Sequence, residues 1–140
     1  MKYCLTGTHS TGKSTLLTAL KGIYPDAYFT DSSTRDVTTK EERRLDVISD
    51  QTQRNIFHRI LEKEVMIDLV SRKRDVFMDR SFIDFVAYTN VFHNRGHLSK
   101  TFRDAMVKEL TKRLGYYDTV FYLPIEFKIV DDGIRSAALR

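Results

Sequence analysis

The feature that most constrains the fold of this chain is an eight-residue motif close to its N-terminus. Residues 7–14 read GTHSTGKS and match the pattern G-x-x-x-x-G-K-[S/T]. Residues 2–6, before the motif, are rich in strand formers, and residues 15–20, after it, begin a helical pattern. A strand, a glycine-rich turn and a helix N-terminus in this order direct successive backbone N–H groups towards an anion. The motif therefore predicts a phosphate-binding loop.

The residue types within the loop predict a site for a nucleoside triphosphate. Lys13 should reach the β- and γ-phosphates, and the Ser14 hydroxyl should ligate Mg²⁺. The predicted nucleotide-binding residues are Gly7, Thr8, His9, Ser10, Thr11, Gly12, Lys13, Ser14 and Thr15.

Short strand-like segments alternate with helical segments along the rest of the chain. Strands are predicted at 2–6, 27–30, 75–79 and 119–123. Helices are predicted after the loop and at about 39–71, 80–92 and 99–114, the first of these three with a break near Ser49. Such alternation is typical of a parallel sheet with helices on both faces. We therefore expect one α/β domain over residues 1–140.

Composition agrees with a soluble domain in a reducing compartment. Hydrophobic residues make up 41% of the chain, and no apolar run is long enough to span a bilayer. Cys4 is the only cysteine, which excludes an internal disulfide, and Met1 leads directly into the first predicted strand, which leaves no room for a signal peptide. We expect a protein of the cytoplasm, bacterial or of a host cell, with no membrane partner. The net charge of +4 is compatible with a polyanionic substrate or with nucleic acid.

Charged residues follow the second and third predicted strands, where open α/β sheets place their ligand sites. Asp79 is predicted either to hold Mg²⁺ together with Ser14 or to cap the helix that starts at Arg80. The Arg80 guanidinium would face the same crevice, where it can bind phosphate oxygens in a bidentate manner. Asp31 is the candidate general base for an attacking hydroxyl, and Arg35 is the candidate anchor of the acceptor. Both are also common residue types in turns.

Two further groups of residues allow two interpretations each. Arg135 and Arg140 follow the last predicted strand in a polar segment, which is either a lid over the triphosphate or a flexible tail. Four aromatic residues at helical spacing favour core packing, although one of them could line an acceptor pocket: Phe82, Phe85, Tyr88 and Phe92.

With these residues, the chain resembles the P-loop kinases of the nucleoside and nucleoside-monophosphate kinase group. Within this group, it most resembles the small AAA-type ATPase/kinase domains that are related to the ribosylnicotinamide kinase domain of bacterial NAD regulators. Many of these small domains occur in phages. Residues 7–15 resemble the phosphate loop of that family. Asp79-Arg80-Ser81 resembles the family's Asp/Glu-Arg-hydroxyl motif, and residues 132–136 resemble its Asp-Gly-hydrophobic-Arg-Ser segment. The resemblance implies a three-layer α/β/α P-loop NTPase fold with strand order 2-3-1-4, ATP as the donor, and a lid containing Arg135.

The chain departs from the family pattern in two places. The family usually has Glu after the second strand, where this sequence has Asp31, followed by Arg35. The family also continues through a C-terminal helix and a fifth strand, which we expect this domain to lack.

Three hypotheses of function follow. The first is ATP- and Mg²⁺-dependent phosphoryl transfer to a hydroxyl or phosphate of a small nucleoside- or nucleotide-type acceptor. In it, Lys13, Asp31, Arg80 and Arg135 are catalytic, and Arg35 and Arg80 bind the acceptor. The second hypothesis is a polynucleotide 5′-hydroxyl kinase, and the third is a nucleotide-sensing module that forms no product. The sequence leaves open the acceptor, the choice between ATP and GTP, and the oligomeric state.

Overall fold

Four parallel strands form one sheet in the computed structural model, which describes residues 1–30 and 38–126. They are β1 (Lys2–Thr6), β2 (Tyr28–Phe29), β3 (Val76–Asp79) and β4 (Thr119–Tyr122). Their order in the sheet is β2-β3-β1-β4, and every neighbouring pair is parallel. The predicted fold class and strand order are therefore confirmed.

Helices cover both faces of this sheet. They are α1 (Lys13–Ile23), α2 (Asp50–Ser71), α3 (Phe82–Asn94) and α4 (Lys100–Arg113). Alternation along β1 sends Leu5 to the face where Leu17 of α1 packs, and Cys4 to the face where Ile67 of α2 packs. Both strand residues are fully buried, so each face of the sheet contributes to a hydrophobic core.

A third cluster of apolar side chains lies among the helices on the α2 side. Ile60 of α2, Phe82 and Phe85 of α3, and Phe102 of α4 are all buried in it. The rings of Phe82 and Phe85 stack with centroids 5.6 Å apart. The core interpretation therefore holds for Phe82 and Phe85.

The prediction of a helix from residue 39 is wrong for its first ten residues. Glu42 accepts from the Thr39 N–H and Thr39 Oγ1 accepts from the Glu42 N–H, which closes one isolated turn. A 3-10 turn follows at Leu45–Val47, and Ile48 is extended with ψ 123°. The break near Ser49 is confirmed, because its hydroxyl accepts from the Thr52 N–H at 3.2 Å and α2 begins directly after it.

The third helix begins two residues later than predicted. Arg80 has a left-handed backbone, φ 69°, and its N–H donates to the Leu5 carbonyl at 2.9 Å, which extends the β1–β3 pairing. Ser81 is the N-cap, and its hydroxyl accepts from the Ile83 N–H at 3.1 Å. Asp79 therefore does not cap this helix.

Other element ends differ by a residue or two, as is usual where helices and strands fray. The last strand ends at Tyr122, and Gly115 lies inside a 3-10 turn at Leu114–Tyr116. None of the helices in the described ranges combines the length and the hydropathy that crossing a membrane requires.

Candidate active site

The phosphate loop connects β1 to α1 and has the backbone conformation that its glycines predict. Gly7 has φ 142° and Gly12 has φ 82°, both in the region that other residues rarely adopt. A Cβ at Gly7 would lie 2.5 Å from the Leu123 carbonyl oxygen. Only glycine therefore fits where the loop leaves β1 beside the end of β4.

Lys13 lies at the start of α1 with its side chain folded back over the loop. Its Nζ donates to the Gly7 carbonyl at 2.7 Å, to the Thr8 carbonyl, and to Thr11 Oγ1 at 3.0 Å. The Thr11 hydroxyl in turn donates to the Thr8 carbonyl at 3.0 Å. Lys13 is only 5% exposed, so its positive charge lies within the loop.

Asp79 lies at the carboxyl end of β3, directly beside the strand that leads into the loop. In the β1–β3 register its partner is Leu5, two residues before Gly7. It is 7% exposed, and its backbone N–H donates to Thr30 Oγ1 at 3.2 Å. The pairing of β1 with β3 thus brings a carboxylate next to the phosphate loop.

Ser14 and Asp79 are suitable in chemistry for Mg²⁺, which prefers hydroxyl, carboxylate and phosphate oxygens. Ser14 is exposed on the first turn of α1. In residues 1–30 and 38–126, no group of three or more His, Cys, Asp or Glu side chains is placed to hold a metal. Two oxygen ligands fit a magnesium ion that completes its coordination with substrate phosphates and water.

Arg80 is half-buried and contacts Tyr88, one turn and a half into α3. Arg80 Nη1 donates to the Tyr88 hydroxyl at 3.2 Å, and the guanidinium lies 5.5 Å from the centre of the ring. Tyr88 therefore holds the arginine side chain, a contact that its helical spacing among aromatic residues did not predict.

A small crevice beside Arg80 lies at the carboxyl ends of β2 and β3. Its lining combines polar side chains, such as Thr30, Lys63 and Arg80, with apolar ones, which are Ile60, Ile67, Met78 and Phe82. The crevice therefore offers a few polar groups at the margin of a mainly apolar surface.

Glu64 lines this crevice and contacts two other elements. Its carboxylate pairs with Arg113 of α4 and accepts from the Tyr117 hydroxyl at 3.5 Å. That hydroxyl also accepts from the Phe82 N–H at 3.1 Å, at the start of α3. Burial raises the pKa of Glu64, and the charge of Arg113 opposes the shift.

Asp84 lies at the candidate site, although the sequence does not predict it there. Asp84 Oδ1 accepts from the Gly7 N–H at 3.2 Å, and Oδ2 accepts from the Ser81 N–H at 3.0 Å. Burial raises the pKa of this carboxyl, against the nearby charge of Arg80 and the hydrogen bonds it accepts. The spacing Ser81-x-x-Asp84 is a capping box, a signal in the sequence that marks the helix start but not the contact with the loop.

Three of the predicted site residues lie outside the described part of the chain. They are Asp31, Arg35 and Arg135, and Arg140 lies there too. Their roles stay predictions. The structure brings the loop residues, Asp79 and Arg80 together at one end of the parallel strands, and their roles also stay predictions.

A family model described as an AAA domain matches residues 2–140, and the chain belongs to this family. Among solved structures, it is similar to the NadR protein in complex with NR, at 20% identity and a TM-score of 0.68, over 98% of this chain and 37% of that one. It is also similar to deoxyadenosine kinase from M. mycoides with dCMP and a flexible dCDP bound, at 14% identity and a TM-score of 0.63, over 90% of this chain and 65% of that one. The same enzyme with dATP bound gives a TM-score of 0.62.

The family match confirms the predicted resemblance to the small AAA-type P-loop domains, and the solved structures confirm that the chain shares its fold with a deoxyadenosine kinase and the NadR protein. At such identities the likeness concerns the fold, and the chain spans less than two thirds of the length of either relative. No curated protein sequence matches the chain.

Proposed function

We propose that this domain is a P-loop kinase that transfers the γ-phosphoryl group of ATP to a hydroxyl or phosphate of a small nucleoside- or nucleotide-type acceptor. The observation that carries the proposal is the meeting of three groups at one edge of the sheet. The phosphate loop with Lys13 follows β1, while Asp79 ends the neighbouring strand β3 and Arg80 follows it directly. The similar structures include a deoxyadenosine kinase with nucleotides bound, which supports the same class of reaction.

The loop would bind the triphosphate of the donor. Gly7 and Gly12 allow the backbone to turn its N–H groups towards phosphate oxygens, and the N-terminus of α1 adds a partial positive charge. Lys13 would leave the loop oxygens and follow the β- and γ-phosphates, where its charge stabilises the transferring group.

Ser14 and Asp79 would hold Mg²⁺ together with the phosphates. When bound, the ion neutralises charge on the β- and γ-phosphate oxygens. Asp79 lies beside the loop because β3 pairs with β1, and its burial favours charge interactions in a low dielectric.

The acceptor would bind beside Arg80, at the carboxyl ends of the strands. Arg80 can pair with a phosphate or a transferring oxygen through two parallel N–H groups while Tyr88 supports its guanidinium. Asp31 as the base, Arg35 as an anchor and Arg135 in a lid complete the proposal from the sequence alone.

A phosphoryl-transfer screen tests this proposal. The protein is incubated with γ-labelled ATP and Mg²⁺ against nucleosides, nucleoside monophosphates, ribosylnicotinamide and 5′-hydroxyl oligonucleotides. We expect label on a small acceptor, and no label with Lys13→Ala. Lys21→Ala is the matched control, because Lys21 is exposed near the other end of the same helix.

The other outcomes separate the remaining hypotheses. Label on oligonucleotides alone would identify a polynucleotide kinase. Binding of ATP without transfer to any acceptor would identify a nucleotide-sensing module, and equal transfer by Lys13→Ala and wild type would refute the assigned site.

A further inference from the structure

Asp84 connects the phosphate loop to the segment that carries Arg80. It lies in the first turn of α3 and is 6% exposed. One carboxylate oxygen accepts from the Gly7 N–H at 3.2 Å and the other from the Ser81 N–H at 3.0 Å. A hydrogen bond from the Thr6 side chain reaches the same carboxylate. One buried side chain thus joins the phosphate loop to the start of α3, and Asp84 lies 77 residues from Gly7 in the chain.

A capping box alone does not account for these contacts. In a capping box, the acidic residue accepts only from the backbone N–H of its own N-cap residue. Ser49 and Thr52 form such a box at the start of α2, and every contact in it is local. Asp84 forms the local contact with Ser81 and in addition fixes the first peptide of the phosphate loop.

Asp84 also contacts the peptide that joins Arg80 to Ser81, because the Ser81 N–H belongs to that peptide. Arg80 precedes Ser81 directly, and its left-handed backbone, φ 69°, is held between the hydrogen bond to Leu5 and the cap of α3. The carboxylate and the guanidinium are close enough for the charge of Arg80 to act on Asp84. A shift of Asp84 would therefore move Gly7 and Arg80 relative to one another.

We propose that Asp84 is a positioning residue, which holds the donor loop and the acceptor-side arginine in a fixed relative geometry. This inference rests on the proposed function, since it assigns ATP to the loop and the acceptor to Arg80. Asp84 touches neither substrate and acts through the Gly7 peptide and the Ser81 peptide. A hydrogen bond to a charged group is strong enough to change an equilibrium constant about ten-fold or more.

The test compares Asp84→Ala, which removes both acceptors, with Ser99→Ala. Ser99 caps α4 and accepts from the Phe102 N–H at 3.1 Å, so its loss removes a helix cap away from the loop. Asp84→Asn is the second variant, because it keeps the side-chain volume and can accept from only one of the two N–H groups. Each protein is labelled with ¹⁵N-glycine, and the six glycines make the amide of Gly7 observable on its own.

We expect the Gly7 amide to lose about ten-fold or more in protection from hydrogen exchange in Asp84→Ala, and to keep it in Ser99→Ala. The Kd for ATP should rise by about ten-fold and kcat should fall as well, with a smaller change in Asp84→Asn. Ser99→Ala should lower the melting temperature with both constants within about two-fold of wild type.

Other results would overturn the inference in distinct ways. Wild-type Kd and kcat in Asp84→Ala, or changes no larger than those of Ser99→Ala, would leave Asp84 a helix cap only. Failure of the wild-type protein to bind ATP would refute the proposed function, and the Gly7 amide would still show whether the link to Asp84 exists.

Discussion

Replacing Gly7 with alanine should disrupt the start of the phosphate loop. The backbone of Gly7, at φ 142°, costs a residue with a side chain about 1–3 kcal/mol. The added Cβ would lie 2.5 Å from the Leu123 carbonyl oxygen, whereas carbon–oxygen contacts normally begin at about 3.3 Å. The oxygen belongs to backbone, next to the bond in which the Leu123 N–H donates to the Thr6 carbonyl at 2.9 Å. Strain and overpacking together should lower the free energy of unfolding by about 2–6 kcal/mol.

Gly22→Ala is the matched control, since the same atom is added on helix α1 with no neighbour within 4 Å. It should stabilise the protein by about 0.5–1 kcal/mol, because alanine favours the helix. Urea unfolding of the two variants and wild type measures both effects, and ATP binding to each folded protein shows whether the loop still functions.

The two glycine variants should therefore change stability in opposite directions. Gly7→Ala with wild-type stability and wild-type ATP affinity would refute the close approach of the loop to the end of β4, and with it the fixed shape of the phosphate site.

Three further predictions concern Arg80, Glu64 and Cys4. In urea unfolding, Arg80→Gly should have a free energy of unfolding about 1 kcal/mol higher than Arg80→Ala, because only alanine is strained at φ 69°. The reverse order would show that the backbone at this turn relaxes. Burial raises the pKa of Glu64 in the folded protein, so wild type should lose stability relative to Glu64→Gln as the pH rises from about 4 to about 7. Urea titrations at each pH measure this difference, and parallel plots of stability against pH for the two proteins would contradict it. Burial raises the pKa of the Cys4 thiol to about 12, so a disulfide reagent should label it only in denaturant, and rapid labelling of the native protein would show that it is accessible.

The sequence predicts the central part of the fold well because its signals there are local. The loop motif determines the turn between β1 and α1, and short apolar strands between helices determine a parallel sheet. Placing Asp79 beside the loop needed only the β1–β3 pairing. The wrong prediction of a helix at residues 39–48 also has a local cause. The side chains of Thr39 and Glu42 each accept from the other residue's backbone N–H, which closes a single turn that does not continue as a helix.

The contacts that the sequence did not predict join distant parts of the chain. The bond from Gly7 to Asp84 and the contact of Arg80 with Tyr88 depend on how α3 sits on the sheet, which no short spacing encodes. The left-handed turn at Arg80 was missed for a related reason: arginine carries no preference for that conformation, and the Leu5 hydrogen bond and the cap at Ser81 impose it.

Because the Lys13 side chain folds back over the loop, oxygen atoms of the loop compete with an incoming anion for its ammonium group. An incoming anion must replace three oxygen contacts of the Nζ group, two from carbonyls and one from Thr11. A triphosphate can contact more of the backbone N–H groups along the loop than inorganic phosphate can, and so offers more in return. The loop should therefore discriminate by ligand length, and affinity should rise steeply from phosphate through diphosphate to triphosphate.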